Sequence, residues 1–137
     1  MNLSDYLSEY SDSHRNPQNK IIHYICVPII AVCTLTLLYA IHPLMFLLTF
    51  LAATIFYMKL SIPLAFLTST PLLLGTIVMV SSNARVPLAL FLFVAAWLGQ
   101  FWGHKIEGKK PSFLKDILFL LIGPLWIANH LYQEFQS

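Results

Sequence analysis

The chain has 137 residues, of which 58% are hydrophobic and 10% charged. Soluble domains carry about a quarter charged residues, so the composition excludes a soluble globular domain and predicts an integral membrane protein. The net charge of +2 is scattered along the chain and offers no basic patch to nucleic acid.

The chain opens with "MNLSDYLSEYSDS", which is polar and acidic and does not resemble a signal peptide. Residues 4–13 predict a short helix, with Ser4 as N-cap and Asp5 at the positive end of the dipole. Leu3, Tyr6, Leu7 and Tyr10 give it an apolar side, which suits the membrane surface. Asn16-Pro17 then pairs a favoured N-cap with a favoured first helical residue. The helix it starts runs to residue 40, long enough to cross a bilayer core of about 30 Å, and His42-Pro43 ends it. His42 reads as a turn residue. Segments 43–58, 60–80 and 86–103 predict three more crossings. The first of these is short, and local thinning or snorkelling by Lys59 accommodates it. A turn is expected at 81–85.

The polar stretch "HKIEGKKPS" separates these from an apolar segment, 113–132, with Gly123-Pro124 in its middle. This segment reads as a broken or re-entrant helix or as a fifth crossing. The expected fold class is therefore all-α. It is a polytopic membrane helical bundle of about four transmembrane helices, with a short N-terminal interfacial helix and a broken or re-entrant C-terminal helix. One domain is expected over 1–137, with 1–16 as the interfacial segment and 17–132 as the bundle.

Charge placement orients the bundle. With the N-terminus in the cytosol and four crossings, Arg15, Lys20, Lys59, Lys105, Lys109, Lys110 and Lys115 fall at cytosolic ends, and Arg85 falls outside. That pattern fits the positive-inside rule. It also gathers His14, His23 and His104 at the cytosolic face. The last segment decides the side of His130: a return brings it to the same face, a crossing takes it away. Cys26 and Cys33 stand two helical turns apart, roughly 10 Å. A disulfide within that helix is excluded, no CxxC pattern exists, and both read as apolar filling.

The polar residues in and beside the apolar runs need an explanation. Asn19 and His23 share a helix face. His14 precedes the Asn16-Pro17 break and is free to fold back towards His23. Gln100, His104 and Glu107 follow i, i+4, i+7 spacing on one face, and a lone carboxylate at a membrane-embedded face is a functional candidate. His130 and Glu134 are again four apart. A cluster of imidazoles with one carboxylate suits non-haem Fe(II), which keeps positions open for oxygen and substrate; zinc also takes such ligands. Trp97, Trp102 and Trp126 read as interfacial or packing residues. No G-x-S-x-G, H-E-x-x-H or phosphate-binding glycine loop is present, and five histidines without an HxxHH box exclude the membrane di-iron desaturase class.

Two stretches carry a resemblance. "EYSDSHRNPQNKIIHYICVP" resembles a signature Y-x3-H-x-N-x2-N-x3-H-x4-P, here Tyr10, His14, Asn16, Asn19, His23 and Pro28. "GQFWGHKIEGKKPSFL" resembles Q-F-x-G-H-x2-E-x3-P, here Gln100, Phe101, Gly103, His104, Glu107 and Pro111. Both belong to the 2-hydroxy-fatty-acid dioxygenase family, small membrane proteins long labelled a domain of unknown function, with a characterised fungal member in the endoplasmic reticulum. Many members have Pro-Ala after the second signature, where this chain has Pro111-Ser112.

The resemblance implies Fe(II)-dependent α-oxidation, in which a 2-hydroxy fatty acid reacts with O2 and emerges one carbon shorter. In a fungus this belongs to phytosphingosine breakdown. The expected metal ligands are His14, His23 and His104, with His130 as a further candidate. Glu107 is expected as an additional ligand or a partner that fixes a histidine tautomer, and Asn19 and Gln100 as orienting residues. The expected partners are substrate, O2 and membrane lipid, in a bacterial inner membrane or the endoplasmic reticulum. The competing expectation is a membrane metal- or lipid-binding protein without turnover.

Overall fold

The computed structural model describes residues 2–12, 15–108 and 113–136, with side chains described except at Glu9, 113–120 and 134–136. Their order is α1 (Leu3–Asp12), α2 (Pro17–Ile41), α3 (Pro43–Leu60), α4 (Ile62–Val80), α5 (Arg85–Glu107) and α6 (Phe113–Gln136). No strand occurs among the described residues. The fold is an all-α membrane bundle, and α2, α3, α4 and α5 are each long and apolar enough to span a bilayer.

Local chemistry sets most of the boundaries. Asn16 caps α2 through its side-chain oxygen, which accepts from the backbone N–H groups of Gln18 and Asn19, and Pro17 follows it. Such a cap contributes about 1 kcal/mol. His42 serves two helices. Its backbone N–H bonds to Leu38 O at the end of α2, and its Nδ1 accepts from the Leu44 N–H at the start of α3. Gly108 closes α5 with a φ of 75°, the left-handed conformation in which glycine has no Cβ penalty. The cap of α1 departs from expectation. It is Asn2, not Ser4: Asn2 Oδ1 accepts from the Asp5 N–H, and Asp5 Oδ2 accepts from the Asn2 N–H. This reciprocal box satisfies two orphan donors, whereas Ser4 lies inside the helix.

Helix α2 is the hub, packing on α3, α4, α5 and α6. Its most extensive contact is with α5, which runs antiparallel to it. Cys26 faces Gly99, and Asn19 and His23 face Gly103. Cys26, Ile30 and Ala96 form a buried cluster along the seam. Gly99 and Gly103 are a small-xxx-small pair, which lets two helix backbones approach closely in lipid. Polar side chains also join helices: the hydroxyls of Thr54 on α3 and Ser69 on α4 are 2.9 Å apart.

For the last helix the structure sets aside one of the expected forms, the broken one. It is one helix across Gly123-Pro124, and Pro124 lies inside it. Proline removes a backbone donor and crowds the preceding turn. The missing N–H leaves the carbonyl of residue 120 without its helical donor, and the Tyr57 hydroxyl of α3 donates to the next carbonyl, Leu121 O, tying the proline turn to α3.

The middle of α6 packs at one end of the bundle. Leu125 is fully buried with Tyr57 near the end of α3 and with Leu64 and Ala65 near the start of α4. Tyr10 of α1 joins Ile122 and Trp126 in a second cluster. Helices α1 and α6 therefore gather at the end of the bundle where α2 begins and α5 finishes.

Candidate metal centre

The start of α2 and the end of α5 meet at this end. Asn19 and His23 are both buried, at 1% and 2% exposure, and Gln100 is buried one turn before His104. Burial of so many polar groups beside an apolar seam is costly unless they are bonded, and the bonds are specific. Glu107 Oε1 accepts from the Asn16 backbone N–H at 2.6 Å and from Asn19 Nδ2 at 3.2 Å. His23 Nδ1 lies 2.9 Å from the backbone oxygen of Asn19. A carbonyl oxygen only accepts, so Nδ1 carries the proton and Nε2 presents its lone pair.

The His23 and His104 rings face each other across the seam, edge to face, with centroids 6.1 Å apart and planes at 85°. With metal–nitrogen bonds of about 2.1 Å, the centres of two imidazoles on one ion are at most about 6.4 Å apart. The 6.1 Å separation lies inside that ceiling but above the roughly 5 Å of two imidazoles on a tetrahedral ion, so the rings would close by about 1 Å to share one. Gly103 makes the approach possible: a Cβ there would collide with Asn19 Oδ1 and stand 3.1 Å from His23 Cε1. The donor set also fits, since a neutral imidazole whose other nitrogen is held by a carbonyl is the usual ligand state. The motif spacing had identified every member of this group except the packing role of Gly103. The Gly99-x3-Gly103 spacing is the signal that reveals it.

His14 lies outside the described residues. Among the described residues no group of three His, Cys, Asp or Glu side chains comes together; His23 and His104 are a pair. His130 has other neighbours. Its Nδ1 lies 3.0 Å from Trp126 O, its ring is 4.5 Å from the Trp126 ring, and Tyr24 is 6.4 Å away. Trp126 in turn stacks on Tyr24 at 5.4 Å, and its indole N–H donates to Ser11 Oγ at 2.9 Å. His23 and Tyr24 are adjacent in α2 but point to different helices, α5 and α6. Tyr10 is buried against Trp126. Burial, helped by the neighbouring Tyr24 phenol, pushes the Tyr10 phenol well up, so it acts as a neutral hydroxyl and not as a base.

An open cavity of about 430 Å³ lies between α1 and α6, lined in part by Ser4, Ser8, Asn129, His130 and Gln133. A smaller, mainly apolar one of about 160 Å³ lies among α2, α3, α4 and α6, beside Leu35, Ala53, Leu72 and Pro124.

Comparison with known proteins agrees with the two signatures. The chain is 29% identical over 135 residues to the 2-hydroxy-palmitic acid dioxygenase MPO1 of Saccharomyces cerevisiae, covering 93% of this chain and 78% of that protein. No solved structure matches it. A family model described as "2-hydroxy-palmitic acid dioxygenase Mpo1-like" matches residues 1–135, and the chain belongs to this Mpo1-like family.

Proposed function

We infer that the protein is an Fe(II)-dependent dioxygenase that converts 2-hydroxy fatty acids to the fatty acid one carbon shorter. The observation that carries this reading is the pairing of buried His23 with half-buried His104 across the α2–α5 seam. Family membership and the yeast relative's name support the substrate class. His23 and His104 would hold the metal, with His14 as the third ligand. Bound there, iron(II) would supply the one-electron chemistry that O2 needs to react with a saturated acid.

The residues have separable tasks. His23 keeps its proton on Nδ1, held by the Asn19 carbonyl, so its ring cannot rotate without losing that bond. Gln100, buried one turn before His104 on α5, would orient the substrate head. The acyl chain lies among apolar helices while its polar head reaches the buried site. Hydroxyl and carboxylate on neighbouring carbons suit chelation by a hard or borderline ion.

The overall reaction balances without another reductant. A 2-hydroxy acid and one O2 give the shorter acid, carbon dioxide and water. The carbinol carbon gives up three electrons and the carboxyl carbon one, and these four reduce O2. No 2-oxoglutarate is consumed.

Arg15, Lys20, Lys59 and Lys105 lie at the same end as the site and Arg85 at the other, which supports a cytosolic site and N-terminus. The test is incubation of purified, iron-loaded protein with 2-hydroxypalmitate in air. Pentadecanoate is the expected product. Iron bound without pentadecanoate would leave the non-catalytic binding reading in its place.

A further inference from the structure

We propose that Glu107 is a positioning residue, a clasp between α5 and the start of α2 that holds the His23 and His104 rings opposite each other; this rests on the metal-site reading above.

The location of Glu107 is otherwise unfavourable. It is the last residue of α5, where the helix dipole is negative and a carboxylate is destabilised. The start of α2 reverses that. Its N-terminus presents unsatisfied N–H groups and positive potential, and Glu107 Oε1 accepts the Asn16 N–H there at 2.6 Å. The contact joins residues 91 apart in the chain. Asn16 is also the N-cap residue, so its side chain holds the first turn from within while Glu107 holds its backbone from outside.

The same carboxylate oxygen accepts from Asn19 Nδ2, and Asn19 in turn accepts the His23 Nδ1 proton on its backbone oxygen. Asn19 therefore joins the clasp by its side chain and His23 by its backbone. The clasp explains why the spacing between the two signatures' polar residues matters. Asn19 is one turn before His23, and Glu107 is one turn after His104 on the antiparallel partner. Gly103 leaves the space in which Asn19 lies. Closing the clasp fixes the register of α2 on α5 and so brings the two rings edge to face.

The alternative role, a carboxylate bound to the metal, makes the opposite demand on the Glu107→Gln variant. A glutamine oxygen still accepts from Asn16 and Asn19 but is a poor metal ligand. The experiment uses the full chain in detergent with ¹⁵N-labelled histidine, first stripped of metal by a chelator and then titrated with Fe(II) under nitrogen. The His23 tautomer is read from its ring ¹⁵N shifts, assigned with H23Q.

In E107A iron affinity is expected to fall by about 10–100-fold, as for other residues that orient ligands, while His23 keeps its Nδ1–H tautomer, because that bond is local to α2. E107Q is expected to keep the tautomer and to hold iron within about threefold of wild type, because the hydrogen bonds survive. An E107Q protein that keeps the tautomer but loses iron would overturn the proposal in favour of a ligand role. So would an E107A protein that holds iron as tightly as wild type. If E107A does not fold, E107Q alone decides by the same criterion. Neither readout needs turnover, so a protein that binds iron without oxidising 2-hydroxypalmitate would fail the functional reading and still test the clasp.

Discussion

His23 and His130 make the same local bond and sit in different chemistry. Each imidazole places Nδ1 within about 3 Å of the backbone oxygen four residues earlier, at Asn19 and Trp126 respectively. Each therefore presents Nε2. The difference lies in what faces them. Across from His23 stands His104, with Asn19 and Glu107 completing a polar group on the α2–α5 seam. Beside His130 stand Trp126 and Tyr24, within the aromatic cluster that fastens α1 and α6 to the bundle. Helix backbone geometry prepares a histidine to bind a metal; the partner helix determines whether it has company. We read the α2–α5 seam as the metal centre and the α1–α6 junction as the structural collar around it.

The sharpest way to break this distinction is to remove the histidines one at a time. His23→Ala or His104→Ala should lower iron affinity by more than about 100-fold, beyond the usual cost of removing an orienting residue, and abolish pentadecanoate formation. His130→Ala should retain iron within about threefold of wild type, as for a residue outside the ligand shell. Metal content by mass spectrometry, on protein purified without added metal, checks all three. Loss of iron in H130A equal to that in H23A would move His130 into the site and dissolve the contrast.

Two glycines sharpen it further. Gly103 faces Asn19 and His23, and a Cβ at Gly123 would stand 2.7 Å from Val27 Cγ1. Overpacking of this kind costs about 1–3 kcal/mol, so G103A and G123A should both lower the melting temperature in detergent. Only G103A should also weaken iron binding. If G123A weakens it equally, the collar and the centre are one cooperative unit. The smallest effect belongs to Tyr57→Phe, which deletes the hydroxyl that bonds Leu121 O. It should cost about 1 kcal/mol of stability and leave iron binding unchanged, as measured by thermal unfolding and metal titration.

Much of this arrangement was legible in the sequence because strong local signals coincide with global ones. Asn16-Pro17 marks the start of α2, and a capped proline is difficult to read otherwise. An even number of crossings puts His23 and His104 at one end, and the basic residues agree. Other features depend on partners that a linear pattern does not name. Asn2 and Ser4 are both good caps, and only the reciprocal bond with Asp5 selects Asn2. Gly123-Pro124 reads as a break, yet α6 continues through it, with a hydroxyl on α3 bonded to Leu121 O beside the proline turn. Helical spacing put Gln100, His104 and Glu107 on one face, but could not show that Glu107 would meet the backbone of Asn16. The neighbours of His130 were hidden for the same reason: periodicity gives the face of a helix, and tertiary packing gives what lies opposite. The expected position of His14 lies outside the described residues.

The central claim is that the histidine pair supports a four-electron oxidation in which the hydroxy acid is the sole reductant. Simultaneous measurement of oxygen uptake and pentadecanoate release by the iron-loaded protein, supplied with 2-hydroxypalmitate and no 2-oxoglutarate, tests it most directly. The account predicts one O2 consumed for each pentadecanoate formed. Iron-loaded protein that consumes no oxygen, or that forms product only when 2-oxoglutarate is added, would contradict it.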